Sequence, residues 1–439
     1  MKKGSGDGRR LMFSLAGLAF LASGMAACGG SNINGNNGNG NNGNGNDAGN
    51  RDGDSNDAGS RDGAPDASPP DACVADLQSD PQNCGSCGHD CQGSACVAGA
   101  CQPVVLASGL LVPSSLAVDQ ATVYWTTYGH ADAWNGATGD GSVMSVPRSG
   151  GTPLTIASGQ RGPHTLQIDA TYAYWANTGD YSMQAPFAYE NGAVMKSPLN
   201  GGTPVVIATA RLPQRLVLDT TSIYWTNWGT QTWSGSAWVY NNDGSVMTAP
   251  LGGGAATMLS SGQPAYGIVV DPTNFYWAAE SMATTGPNAS DYSIMKMPRG
   301  GAPAALVSGQ HNLAALRMSS SDLFWLDGGT FDASGHIALP DGAILTLPTS
   351  GGNPVRLASN QAGPWDIAVD SGAVYWTDAG LTRQSGTVMK LPPGQQTPIV
   401  LATQQDRPSS LVVDDRAVFW LNSSSANNVA DGSVMKLAK

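Results

Sequence analysis

Glutamate is almost missing from this chain of 439 residues: Glu190 and Glu280 are the two that occur, and charged residues of every kind make up 12%. Soluble helices draw heavily on Glu, Lys and Arg, so this scarcity excludes a helical bundle or a mainly helical domain. Positive charge is short as well, with 21 Lys and Arg against 33 Asp and Glu, a formal net charge of -12, and no basic stripe. That balance excludes a nucleic-acid partner, because counterion release from phosphates needs a basic surface. After the N-terminal leader, no apolar run approaches the ~20 residues of a membrane-spanning helix. Neither HExxH nor GxSxG occurs, so the local signatures of zinc proteases and α/β-hydrolases are missing too. What remains plentiful is Gly, Ser, Thr, Val and Trp, the composition of strands and turns.

Lys2, Lys3, Arg9 and Arg10 precede the apolar run "LMFSLAGLAFLASGMAA", so residues 1–27 have the layout of a secretory signal. The run ends in "MAAC", which resembles the lipobox of bacterial lipoproteins, with Met25 where Leu is commoner. The resemblance implies acylation of Cys28 and attachment to a membrane by that lipid alone. Gly29 after the cysteine, rather than Asp, implies the outer membrane of a two-membrane cell. Residues 28–72 are Gly-, Asn- and Asp-rich with almost nothing to bury, and are expected to form a disordered tether. Such a coil spans roughly 35–40 Å on average.

Apart from Cys28, every cysteine falls in residues 73–101: Cys73, Cys84, Cys87, Cys91, Cys96 and Cys101. An even count in an exported segment with little apolar content predicts a module stapled by disulfides, with the connectivity open among fifteen pairings. Zinc is the alternative, since "CGSC" has suitable spacing and His89 lies nearby. The run "NCGSCGHDCQGSACVAGAC" resembles the end of Stig1-type cysteine-rich modules, which implies a small extracellular spacer or adhesion element.

From Pro103 onward the chain repeats itself. An aromatic–Trp pair recurs at Trp125, Trp175, Trp225, Trp277, Trp325, Trp376 and Trp420, at intervals of roughly 50 residues, which defines seven units. Before each Trp lies an apolar run such as "LAVD" or "LVLD"; after it come "GSVM"-like words, a Gly-rich turn and a segment such as "LTIASG". Each unit therefore holds four short strands, here named A to D. The last unit lacks strand D, and its counterpart is "PVVLASG" at residues 103–109, which closely matches "PLTIASG" at 153–159. The prediction is an all-β, seven-bladed β-propeller over residues 103–439, with four-stranded blades and a ring closed by the N-terminal strand on the outside of the last blade. Trp at a fixed place per blade is expected to pack between blades. Asp119, Asp169, Asp219, Asp271, Asp370 and Asp414, at the A-to-B turns, are expected to cap those turns.

The word "VYWTD", complete at residues 374–378 and degenerate in the other units, resembles the YWTD propeller repeat of low-density-lipoprotein receptors and their bacterial TolB-type relatives. Those propellers have six blades of shorter repeat, so receptor ligand residues are not carried over.

The D-to-A and B-to-C connections share one face of such a fold. The long B-to-C inserts there carry Trp134, Tyr181, Trp233 and Trp238. At the channel mouth the repeats disagree most, with His164 in unit 2, Gln214 and Arg215 in unit 3, Tyr266 in unit 4, and Trp365 and Asp366 in unit 6. Aromatic and polar groups around a concave mouth suit a glycan, a small polar ligand or an envelope protein. The expected role is non-catalytic binding by a monomer with no metal and no cofactor. A propeller lyase or hydrolase using His164, Glu190 or Glu280 is the alternative by fold analogy, and a purely structural envelope or adhesion protein is the third. Cys28→Ser is expected to move the protein from the membrane fraction to the soluble fraction after cell lysis; retention in the membrane pellet would refute the lipid anchor.

Overall fold

The computed structural model describes residues 76–439, except 133–135, 183–187, 234–237, 282–290, 333–336 and 424–428. The leader, the tether, Cys28 and Cys73 lie outside the described residues. Strands A to D of blade 1 are Pro113–Val118, Thr122–Thr127, Gly141–Pro147 and Leu154–Gln160, hydrogen-bonded antiparallel in that order. Five more blades repeat the pattern, with A strands starting at Pro163, Pro213, Ala265, Leu313 and Pro364. Blade 7 takes Pro408–Val413, Ala417–Asn422 and Ala430–Ala438 from the C-terminal end, and its outermost strand is Val104–Leu111. Val104 pairs with Lys436, Ser108 with Ser433 and Leu111 with Ala430, so the two ends of the propeller meet in one sheet. The fold is thus a seven-bladed, all-β propeller, and no helix occurs among the described residues.

Strand B has no solvent face: Val123 to Thr127 are all buried, because each side of a blade packs on a neighbour. Large side chains collect at these faces, and Trp125, Trp175, Trp225, Trp325, Trp376 and Trp420 are all among the fully buried residues. An indole N–H taken out of water needs an acceptor. Gln160, Gln310, Gln361 and Gln405, at or near the ends of D strands, accept the indole N–H of Trp175, Trp325, Trp376 and Trp420 in the next blade at 2.9 to 3.2 Å. At the corresponding positions before Trp125 and Trp225 stand Leu110 and Ala210, and the indole nitrogens of these two Trp residues are buried without a partner.

The A-to-B turns follow from their aspartates. Asp219 Oδ1 accepts the N–H groups of Thr221 and Ser222 at 2.9 Å each, and Oδ2 accepts the Tyr224 hydroxyl at 2.7 Å. Asp119, Asp169 and Asp271 repeat these contacts. Partial burial pulls the Asp219 carboxyl upward, but the donors together outweigh it and hold the pKa at about 2.

The cysteine segment is stapled by Cys84–Cys96 and Cys91–Cys101, and Cys87 is disulfide-bonded as well. The sulfurs of Cys84, Cys91 and Cys101 lie within 4.8 Å of one another, but bonded sulfurs provide no thiolate for zinc. The segment sits against blade 7 rather than apart from it. His89 Nε2 lies 2.7 Å from the main-chain oxygen of Lys439, and Gln92 Nε2 donates to Arg416 O at 2.8 Å. Four of its cysteines, Cys84, Cys91, Cys96 and Cys101, share one apolar cluster with Leu411, Leu437 and Ala438.

Two expectations follow. Ala210→Gln gives Trp225 the acceptor it lacks, and should raise stability by about 1 kcal/mol in denaturant titration; a lower midpoint would contradict the role assigned to the glutamines. In blade 6, strand B ends in Asp378, where blades 2, 3 and 7 have Asn177, Asn227 and Asn422. Burial pushes the Asp378 carboxyl up to about 7, against hydrogen bonds with Trp376 and Thr387. The folded chain therefore keeps a proton that the unfolded chain releases above about pH 4, and stability is lost as pH rises from there to about 7. Asp378→Asn should raise Tm at pH 8 and leave it unchanged near pH 4; an equal shift at both would exclude titration as the cause.

Candidate functional site

Strand A is innermost in every blade, so its first residues surround the mouth of the central channel. In all seven blades the A–B ladder shifts register there, as between Pro113 and Ser115 or between His164 and Leu166. Such bulges re-aim the residues they contain. The second bulge residue reaches the next blade: Ser115 accepts Leu166 N–H at 3.0 Å, Thr165 accepts Leu216 N–H at 3.3 Å, and Ser410 accepts Leu116 N–H at 2.9 Å. Asp366 does the same for Leu411 N–H at 2.9 Å.

Asp366 does more than the hydroxyls. It is 3% exposed, accepts its neighbour Ile367 N–H at 2.9 Å, and pairs with Arg317 of blade 5 at 2.6 Å. One carboxylate thus ties three blades at the mouth. Arg317 is the mouth residue that sequence reading missed. Its signal was a charge in a row that otherwise reads Ala117, Gln167, Val217, Val269, Ala368 and Val412.

His164 is half-buried, and its Nδ1 donates to Ala176 O at 3.1 Å, while Nε2 is buried without a hydrogen-bond partner. Desolvation, then the positive charge of Arg215, lower its pKa to about 4, so the ring is neutral at physiological pH. Arg215 is half-buried too; desolvation lowers its pKa, the carboxylate of Asp366 raises it, and Arg317 lowers it. Trp365 is half-buried beside Asp366. Two predicted mouth residues besides Asp366 lie deeper than a rim position implies. Gln214 is 5% exposed, and Tyr266 is 3% exposed, with ring centroids 4.3 Å from Trp228 and 5.7 Å from Tyr292.

Of the predicted loop aromatics, Trp134 lies outside the described residues. Tyr181 belongs to strand Asp180–Ser182, and Trp233 and Trp238 are register partners in a hairpin. The B-to-C inserts of blades 1 and 2 join: Asp180 pairs with Gly136, giving one four-stranded sheet from both inserts.

Neither a family model nor a curated protein matches the chain. Among solved structures, it is similar to a puromycin-hydrolyzing peptidase of Mycobacterium tuberculosis, at 13% identity and TM-score 0.51, over 76% of this chain and 52% of that one. It is also similar to the acylaminoacyl peptidase of Pyrococcus horikoshii, at 8% identity and TM-score 0.50, over 74% of this chain and 51% of that one. The likeness establishes the propeller fold. The chain spans about half the length of these two peptidases.

The Asp366 contacts can be separated by mutation. Asp366→Ser should keep the Leu411 clip, as Ser115 does for Leu166, and lose only the ion pair. Asp366→Ala loses both and should cost about 3 kcal/mol in denaturant unfolding. Equal losses for the two variants would contradict the clip.

Proposed function

We propose that the chain is an exported, lipid-anchored binding module that holds a glycan, a small polar ligand or an envelope protein at the channel mouth and the B-to-C face. One observation carries this reading: the contacts that build the ring repeat from blade to blade, while the start of the A strands collects unlike polar and aromatic groups, His164, Arg215, Arg317, Trp365 and Asp366. Framework requirements explain the repeated Trp, Gln and Asp; they give no reason for Arg215 or Trp365.

The state of these groups favours recognition over proton transfer. His164, with its pKa lowered to about 4 and its Nδ1 committed to a carbonyl, is a poor acid at neutral pH, and Asp366 is held by three donors. The peptidase activity named for the two similar structures is not carried over, since the likeness spans half of those chains. The YWTD-like words, the lipobox-like leader and the Stig1-like segment support an envelope protein held off its membrane by the residue 28–72 tether.

Binding is tested on a glycan array and by pull-down from envelope extract. Trp365→Ala should weaken capture of the retained ligand at least tenfold while leaving Tm within a few degrees of wild type. Undiminished capture would remove the mouth from the proposal.

A further inference from the structure

We propose that the arc of the channel mouth formed by blades 3 to 5 is an anion subsite, which takes the carboxylate, sulfate or phosphate group of a small ligand. The inference deepens the binding reading above and rests on it.

The arc is defined by a break in the clip pattern. In blades 1, 2, 6 and 7 the second bulge residue is Ser115, Thr165, Asp366 or Ser410, each accepting an N–H of the next blade. In blades 3, 4 and 5 it is Arg215, Gly267 or Ala315. None of these three side chains offers an acceptor. The amides of Ile268 and Leu316 therefore lack the side-chain acceptor that Leu116, Leu166, Leu216 and Leu411 receive. A Cβ built on Gly267 would stand 3.1 Å from Leu316 Cβ and 3.5 Å from Leu316 N, so the missing side chain is missing from just over that amide.

Arg215 adds a charge to the same arc. Its main-chain N–H donates to Thr226 Oγ1 at 3.3 Å, but among the described residues its guanidinium makes no hydrogen bond or ion pair. A guanidinium carries five donors in a planar fork, and the protein engages none of those of Arg215 among the described residues. Asp366 and Arg317, on blades 6 and 5, both act electrostatically on it. Asp366 is already engaged by Arg317, Ile367 N–H and Leu411 N–H. Arg317 pairs with that carboxylate and Arg215 has no ion pair of its own among the described residues, so a positive charge is left uncompensated in a chain whose formal net charge is -12. Planar guanidinium donors beside main-chain amides match a carboxylate, sulfate or phosphate group, and leave a neutral ligand with no counterpart for that charge.

The test uses the full chain with sodium sulfate and sodium galacturonate as probes and galactose as the neutral control, at ionic strength held constant with sodium chloride. Calorimetric titration and Tm are both read. Wild type should bind at least one anion and gain Tm over the chloride control. Arg215→Ser installs the side chain that clips blades 1 and 7, and should keep or raise the Tm in chloride while weakening anion binding at least tenfold. Arg215→Gln, which removes the charge at similar length, should give the same loss and guards against a folding defect in the serine variant. No anion binding by wild type, or wild-type affinity in both variants, would overturn the subsite. Capture of a ligand that needs Trp365 but ignores Arg215→Ser would also overturn it, and would leave the binding-module reading standing.

Discussion

The antiparallel ladder between Val104–Leu111 and Ala430–Ala438 is the constraint on which the rest of the molecule depends. A blade has two apolar faces and cannot bury them alone, so seven blades in a row would leave the terminal blades exposed and two sheet edges open. Pairing the N-terminal strand with strand C of blade 7 removes that problem and brings blade 7 against blade 1. The clip from Ser410 to Leu116 N–H crosses this seam at 2.9 Å, as its equivalents cross other blade boundaries. The cysteine segment, directly before the closing strand and braced internally by its disulfides, holds the same blade through His89 and Gln92. Its position opposes fraying where a propeller closed by one terminal strand is most exposed to it.

Two classes of polar contact divide the molecule. Framework contacts satisfy groups that packing has taken from water: indole N–H groups on glutamine, turn amides and tyrosine hydroxyls on aspartate, and strand amides on serine, threonine or Asp366. They recur because each blade poses the same accounting problem. The mouth is where recurrence stops. Blades 3 to 5 give up the clip and carry charge or empty space instead, a local departure from the framework that concentrates at a candidate site.

The fold was legible because its evidence is one-dimensional. Period, strand words and the missing last strand all lie along the chain, and the match of residues 103–109 to 153–159 was enough to predict closure. The Asp caps were legible for the same reason, since the donors at Thr221 and Ser222 sit two and three residues from Asp219. Contacts between blades left no such trace. Asp366 read as a rim residue, and its tie to Leu411 and Arg317 emerges only when blades 5, 6 and 7 are side by side. Tyr266 read as exposed, whereas Trp228 and Tyr292 cover it. The seat of the cysteine segment on blade 7 depends on His89 and Lys439, which are 350 residues apart.

Hydrogen exchange of the closing strand measures the central claim most directly. If Val104–Leu111 is an integral part of blade 7, its paired amides should exchange only on global unfolding, with the same protection as those of Ala417–Asn422. Exchange of residues 104–111 at loop rates, while 417–422 stay protected, would mean that the ring holds together without its closing strand.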